Sequence, residues 1–458
     1  MTIPASIFRQ YDIRGTVGDQ LTAELARAVG QALATLARER LRRSPRIVVG
    51  RDNRPSGPAL ADGVAEGIVA AGGAVVLVGE LPTPAMYFAT HTLDVDGGVQ
   101  VTGSHNPPAF NGFKMVLAGA AVHGDEIQLL RRLITDGKLL IHPGGVLTAD
   151  RSVLAAYRAA IVQRHAPLAR PVKVVVDCGN GVTSLVAIET LRELGAEVVP
   201  LFAESDGTFP NHHPDPTVPE NLRDIQAAVK REKAELGIAF DGDGDRIGAV
   251  DERGRMVFGD QLLVLFGRDL VHRMGAGHSV IFDVKCSAVL PLELRRVGLT
   301  PVMWKTGHSL IKEKMKETGA PLAGEMSGHM FFGGDWFGFD DALFAAARLL
   351  HYVAREGGPL SRLLSDLPAT VTTPEIRVDC PDDQKFAVVN KAAKHFAARY
   401  EISTLDGVRI TFPDGWGLLR ASNTQPVLVM RFEAGSQAAL VAYRVEVEAW
   451  LAQNRTWS

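Results

Sequence analysis

Three cysteines, Cys178, Cys286 and Cys380, are all that 458 residues contain, and they stand far apart with no C-x-x-C pair. That scarcity excludes a disulfide-stapled scaffold and a cysteine-built zinc site, and it fits a reducing compartment. No apolar run is long and charge-free enough to span a bilayer, and Met1-Thr2-Ile3-Pro4-Ala5-Ser6 shows no basic stretch leading into an apolar one. The expectation is a soluble, cytoplasmic protein with no membrane partner. Neither sign of charge dominates, since 49 Lys+Arg against 52 Asp+Glu leave a formal net charge of -3. A nucleic-acid backbone calls for a basic surface, so no nucleic-acid partner is expected. The one basic cluster, Arg38-Glu39-Arg40-Leu41-Arg42-Arg43-Ser44-Pro45-Arg46, closes a helical pattern and reads as a solvated helix end. Two signatures are missing as well. There is no G-x-x-x-x-G-K-[ST] loop for a nucleoside triphosphate, and Thr102-Gly103-Ser104-His105-Asn106 fails the G-x-S-x-G elbow of a serine hydrolase.

What is present divides into domains of roughly 100 to 200 residues. Arg46–Asp52, Val172–Gly181 and His278–Lys285 are short β-branched runs ending in polar or glycine-rich sequence. Helical patterns follow them, for example over Leu60–Ala71 and Thr183–Leu194, which indicates βαβ units on largely parallel sheets. Their recurrence suggests three related α/β domains with mixed, largely parallel sheets. Past residue 367 the pattern changes to a helix over Lys385–Tyr400 and strands over Val408–Phe412 and Val427–Phe432, an α+β arrangement with antiparallel pairing. The candidate linkers are His142–Gly145, Asp251–Gly254 and Leu367–Thr370. The domains expected are 1–149, 150–254, 255–367 and 368–458.

Ser104 sits in Thr102-Gly103-Ser104-His105-Asn106-Pro107-Pro108, where the glycine permits close approach and the prolines prevent a helix from starting. Alone, this also reads as a surface turn. Asp241-Gly242-Asp243-Gly244-Asp245-Arg246 carries three carboxylates at alternate positions, which point the same way if the backbone is extended. Three converging charges need a cation, and a hard, oxygen-preferring ion such as Mg2+ fits. An EF-hand would require glycine where Arg246 stands and helices on both flanks. Ser104, if phosphorylated, would add an oxygen to that metal, with His105 and Lys114 able to move protons or neutralise charge. Gly324-Glu325-Met326-Ser327-Gly328-His329 offers an acid, a hydroxyl and an imidazole suited to sugar hydroxyls. Arg420-Ala421-Ser422-Asn423-Thr424-Gln425-Pro426 suits a phosphate, or is a solvated turn.

With these four loops in this order, and Tyr11-Asp12-Ile13-Arg14-Gly15 ahead of them, the chain resembles the α-D-phosphohexomutase superfamily, in its bacterial phosphomannomutase/phosphoglucomutase group. The resemblance spans nearly the whole chain. It implies four domains around a central cleft, each giving one loop: phosphoserine at Ser104, metal at Asp241, Asp243 and Asp245, sugar at Glu325, Ser327 and His329, and distal phosphate at Arg420, Ser422, Asn423 and Thr424. Arg246, Lys285 and His308 match further active-site positions, and Tyr11 and Arg14 complete the wall near the serine. The implied reaction interconverts hexose 1-phosphate and 6-phosphate, of mannose or glucose, through a hexose 1,6-bisphosphate that turns over in the cleft and also serves as activator. Lys114, His105, Arg14 and His308 stand as candidates for proton transfer. The phosphosugar is the expected partner, and family analogy implies a monomer.

Three other readings compete: a phosphoglucosamine mutase of the same superfamily, a metal-dependent sugar phosphatase, and a noncatalytic sugar-phosphate sensor. The phosphatase has less use for a sugar loop and a distal phosphate loop together. Retention of Ser104, His105, Lys114 and the three aspartates speaks against the sensor.

Overall fold

The computed structural model describes residues 3–423 and 425–455. Four sheets succeed one another along the chain. In the first, strands Arg46–Arg51, Ala74–Glu80, Gly97–Val101 and Val146–Ala149 are parallel, while Phe110–Leu117 returns antiparallel beside Gly97–Val101 and carries Ile13–Thr16 on its other edge. In the second, Lys173–Asp177, Glu197–Leu201 and Leu236–Phe240 are parallel and Ile247–Asp251 returns beside the last of them. The third repeats the plan with Ser279–Asp283, Thr300–Trp304 and Leu322–Gly324, and with Met330–Phe332 returning. The fourth is antiparallel, centred on Val408–Phe412, Gly415–Ala421 and Val427–Ala434, with helices Lys385–Phe396 and Gln437–Asn454 packed against it. Three mixed α/β units and a C-terminal α+β unit are therefore the architecture.

The β-branched runs are strands because they are covered by helices on both faces. Val48, Val49, Val174, Val175, Val176, Val280 and Ile281 are all buried, as the near-continuous apolar pattern of parallel strands requires. The recurrence seen in the sequence has a spatial counterpart. Arg46–Arg51, Lys173–Asp177 and Ser279–Asp283 each lie next to the strand that leads into a motif loop.

Two local expectations change. Thr183–Leu194 is not one helix: Val182–Leu185 is a 3-10 turn, Val186 departs from helical backbone at φ -138°, and the helix occupies Ala187–Glu193. Asp251–Gly254 is the expected turn, but it closes a hairpin within the second sheet instead of linking two units, with the Gly254 N–H donating to the Asp251 carbonyl at 2.8 Å. Strand Met256–Val257 beyond it pairs back onto Ile247–Asp251 within the second sheet. His142–Gly145 leads into Val146–Ala149, the outer strand of the first sheet. The basic cluster does end a helix, Ala23–Leu41, and its Arg43 is exposed and paired with Asp96. No helix among the described residues is long and apolar enough to cross a membrane.

One apolar core runs from Val48 to Leu360 and joins the first three units, whereas the C-terminal unit has its own core. Within the shared core two imidazoles, His165 and His351, stack at 5.1 Å between helices Val153–Arg164 and Ala342–Glu356. Their Nε2 atoms are buried without hydrogen-bond partners. Burial and the nearby Arg348 push His165 down to about 3 and His351 to about 4. Both values lie below that of an unfolded histidine, so the unfolded chain takes up protons first as pH falls. The stabilisation is complete above about pH 6.5 and is lost progressively below it. Thermal unfolding followed between pH 7 and pH 5 should show a falling Tm, and a His165→Gln/His351→Gln variant should show a flatter dependence; equal slopes would remove the pair from the explanation.

Candidate active site

All four motif loops occupy the same place in their sheets, each leaving one strand and entering an antiparallel neighbour. Ser104 lies between Val101 and Phe110, Asp241–Arg246 between Phe240 and Ile247, Glu325–His329 between Gly324 and Met330, and Ser422 and Asn423 between Ala421 and Val427. Thr424 lies outside the described residues. In the first three units this is the carboxyl end of a parallel strand, where open α/β sheets hold ligands.

Ser104 is 2% exposed and has φ +52°, a left-handed conformation unusual for serine. The loop is held in place from beneath by a residue outside the motifs. Arg54, fully buried, donates to the carbonyl oxygens of Ser104, Asn106, Pro107 and Phe110 at 2.6–2.9 Å. Asp52 pairs with Arg54 at 3.1 Å and also accepts from the Thr102 hydroxyl and the Gly103 N–H. The serine Oγ donates to Asp241 Oδ2 at 3.1 Å and lies 3.1 Å from His105 Nδ1. Arg14, on the strand paired with Phe110–Leu117, holds the loop's outer side through Asn106 Oδ1 at 2.7 Å and is itself paired with Asp12.

The aspartate loop is a turn, which corrects the expectation of alternation along extended backbone. Gly244 has φ +78°, and Asp241 Oδ1 accepts from the N–H groups of Gly244, Asp245 and Arg246. The carboxylates converge because the chain curls around Asp241. Gly242 serves close approach: a Cβ there would lie 2.5 Å from the Ser104 carbonyl oxygen. Oxygens of Asp241, Asp243 and Asp245 all lie within 4.8 Å of one another. Lys114 reaches in from Phe110–Leu117 to pair with Asp243 at 2.7 Å and with Asp245. Burial opposes the lysine's charge, but Asp243, Asp245 and Asp241 outweigh it and hold the ammonium pKa above its usual value. Burial and the other two aspartates push Asp241 well up, whereas Asp243, despite its burial, is held low by Lys114 and by a hydrogen bond from the Thr83 hydroxyl.

The Glu325–His329 loop joins the aspartate loop edge to edge. The Ile247 N–H donates to the Gly328 carbonyl at 3.0 Å, and Arg246 Nε donates to His329 Nε2 at 2.9 Å. His329 Nδ1 lies 3.0 Å from Asp340 Oδ2, and His308 stacks on His329 at 5.6 Å. Glu325 accepts from the Gly307 N–H and, at 3.2 Å, from the Ser327 hydroxyl. Burial pushes its pKa up. Lys285 is 2.9 Å from Glu375 of the C-terminal unit. There Arg420 pairs with Asp406 at 3.0 Å, and Asp406 also accepts from the Thr306 N–H. Tyr11 closes the circuit, donating to the Thr306 carbonyl and accepting from Asn423 Nδ2, both at 2.6 Å. The structure thus brings Ser104, His105, Lys114, Arg14, Arg246, His329 and the three aspartates into one continuous network. It ties Tyr11, His308, Glu325, Ser327 and Asn423 to the same wall, with Lys285 and Arg420 alongside.

Four consecutive stretches match models of known families. Residues 5–139, 155–254 and 258–371 match phosphoglucomutase/phosphomannomutase alpha/beta/alpha domains I, II and III, and residues 375–449 match the C-terminal domain of the same proteins. The chain belongs to the phosphoglucomutase/phosphomannomutase family. It is 50% identical to a phosphomannomutase/phosphoglucomutase of Pseudomonas aeruginosa over 441 residues, covering 96% of this chain and 94% of that one. A phosphoglucomutase of Neisseria gonorrhoeae is 45% identical over 457 residues, covering 99% and 98%. A solved phosphoglucomutase/phosphomannomutase family protein of Burkholderia thailandensis superposes with a TM-score of 0.90 at 45% identity, covering 98% of each chain. The protein is a phosphohexomutase, and hence an isomerase.

The mutase's acidic cluster fits a metal on its own geometry. Asp243 Oδ1 and Asp245 Oδ1 are buried without hydrogen-bond partners, a costly state for a carboxylate oxygen unless a cation takes it up. Sequence reasoning passed over Asp52, Arg54, Asp283, Asp340, Glu375 and Asp406, which hold the expected residues in place. For Asp52 and Arg54 a signal existed: two opposite charges at the carboxyl end of a predicted parallel strand.

Proposed function

We propose that this mutase interconverts the 1- and 6-phosphates of glucose and mannose, with Ser104 as the phosphoryl carrier. The observation that carries the reading is the placement of the Ser104 hydroxyl, within 3.1 Å of both His105 Nδ1 and a metal-loop carboxylate. Mg2+ held by Asp241, Asp243 and Asp245 with an oxygen of phosphorylated Ser104 would draw charge from the phosphoryl group.

In the first half-reaction the bond from Ser104 Oγ to phosphorus breaks as a sugar hydroxyl oxygen bonds to phosphorus; the hydroxyl proton leaves to a base, and Ser104 Oγ takes up a proton in exchange. Lys114 and Arg14 are cations here and serve to neutralise charge. Burial holds His105 and His308 well below the usual histidine value, helped by Arg246, Arg14 and Lys114 at His105 and by Lys312 at His308. A neutral imidazole can accept the proton. The hexose 1,6-bisphosphate then turns over, and its other phosphate returns to Ser104. Glu325 and Ser327 hold sugar hydroxyls in either orientation, while Arg420, Ser422 and Asn423 hold the phosphate that is not reacting.

The test is a coupled assay of glucose 1-phosphate and mannose 1-phosphate with Mg2+ and a trace of the bisphosphate. Both sugars should yield 6-phosphate, EDTA should abolish turnover, and added Mg2+ should restore it. Release of free phosphate in place of 6-phosphosugar would turn the reading to a phosphatase, and turnover indifferent to chelation would remove the metal.

A further inference from the structure

Two buried arginines of the C-terminal sheet reach outside their own unit to hold backbone of the third. Arg409, on strand Val408–Phe412, donates to the carbonyl oxygens of Val284 and Cys286, the latter at 3.0 Å. Arg431, on Val427–Ala434, donates to the carbonyl of Lys285 between them. The three successive carbonyls that follow strand Ser279–Asp283 are thus held from a neighbouring unit. The guanidiniums are enclosed, with Arg409 8% and Arg431 2% exposed. Arg409 lies 3.7 Å from the centroid of the Trp416 ring. Trp416 Nε1 donates to Glu433 Oε1 at 3.0 Å, and the same oxygen accepts from the Ala288 N–H at 2.9 Å. Val284, Trp416 and Leu418 close a small apolar cluster beside them.

Burying two guanidiniums against carbonyls, with Arg431 also 3.6 Å from the buried Asp260 carboxylate, is an expensive way merely to attach one unit to another, since apolar side chains of similar volume do so at lower cost. What guanidinium forks add is fixed geometry. The residue they fix is Lys285, whose ammonium is itself tied to the C-terminal unit through Glu375 at 2.9 Å. Asp283, two residues before it, accepts from the Met326 N–H of the sugar loop at 3.2 Å and from the Thr306 hydroxyl at 3.1 Å. Main chain and side chain of Lys285 are therefore both referenced to the sheet that carries Arg420.

We propose that Arg409 and Arg431 are positioning residues that fasten Lys285 to the C-terminal unit, so that Lys285 and Arg420 face the non-reacting phosphate as one rigid cationic pair. This rests on the phosphohexomutase reading above. Each arginine acts through Lys285 and touches no substrate.

A double-mutant cycle tests it. KM, kcat and the calorimetric Kd for glucose 1-phosphate are measured in wild type, Arg431→Lys, Lys285→Ala and the double variant. Arg431→Lys keeps the charge but loses the fork, and it should raise KM and Kd about ten-fold with kcat changed less than about two-fold. In the Lys285→Ala background the same change should alter Kd by less than about two-fold. An Arg431→Lys variant with wild-type KM, or one whose full effect persists without Lys285, overturns the proposal. If Arg431→Lys fails to fold, Arg409→Lys goes through the same cycle with the same expectations. The two readings separate cleanly. Wild type that binds glucose 1-phosphate without isomerising it sinks the catalytic reading and leaves the cycle to be read in Kd, whereas additive effects beside normal turnover sink the clamp alone. Wild type that fails to bind overturns both.

Discussion

Ser104→Ala should lower turnover of glucose 1-phosphate by at least about a thousand-fold, because no other hydroxyl takes over a nucleophile's place in covalent transfer. The loss should be chemical and not structural. Arg54 holds this loop by the carbonyls of Ser104, Asn106, Pro107 and Phe110, none of which the substitution touches. The left-handed backbone at φ +52° costs about 1–3 kcal/mol, but it costs much the same for alanine as for serine. The variant should accordingly keep its Tm and should still bind glucose 1-phosphate in a calorimeter. Undiminished turnover would remove Ser104 from the mechanism, and a large fall in Tm would show that the hydroxyl had been structural.

Arg54→Met should be the most destabilising single change in the first unit. It removes the partner of a buried carboxylate at Asp52 and leaves carbonyl oxygens of the serine loop without donors. Breaking a buried ion pair from one side costs about 3–5 kcal/mol, and each abandoned buried acceptor adds about 1–3 kcal/mol unless water reaches it. Burial already pushes the Asp52 carboxyl upward, with Arg54 as the main opposing influence, so without the guanidinium Asp52 should protonate. Urea unfolding should register a shift of this size, and the fraction still folded should turn over at least about a hundred-fold more slowly because the serine is no longer held in place. Arg54→Lys should recover part of the stability and little of the activity, since an ammonium cannot reach four diverging carbonyls. Wild-type stability in Arg54→Met would refute this account of the loop.

The four motif loops were legible because each concentrates its chemistry in a few neighbouring residues, flanked by the glycines and prolines that mark loops. The alternation of β-branched runs with helical patterns carried the fold class for a similar reason, since covered parallel strands must be apolar along their length. Asp241–Arg246 shows where such reading stops. Its residue types announced three carboxylates and a cation, but the expected extended backbone was wrong. The positive φ of Gly244 and the three N–H groups gathered on Asp241 Oδ1 depend on a turn closed by hydrogen bonds between residues three to five apart.

The supporting charges show the limit more sharply. Asp340 is one aspartate among many until the fold sets it 3.0 Å from His329, and Glu375 becomes a partner of Lys285 only across the junction of two units. The chain alone therefore settled the kind of scaffold and put forward the groups proposed to do the chemistry, because identity and local periodicity are properties of neighbours in sequence. Which atoms face one another was settled by folding. The contacts Ser104–Asp241, Lys114–Asp243 and Lys285–Glu375 link residues 137, 129 and 90 positions apart, and no local pattern encodes such distances.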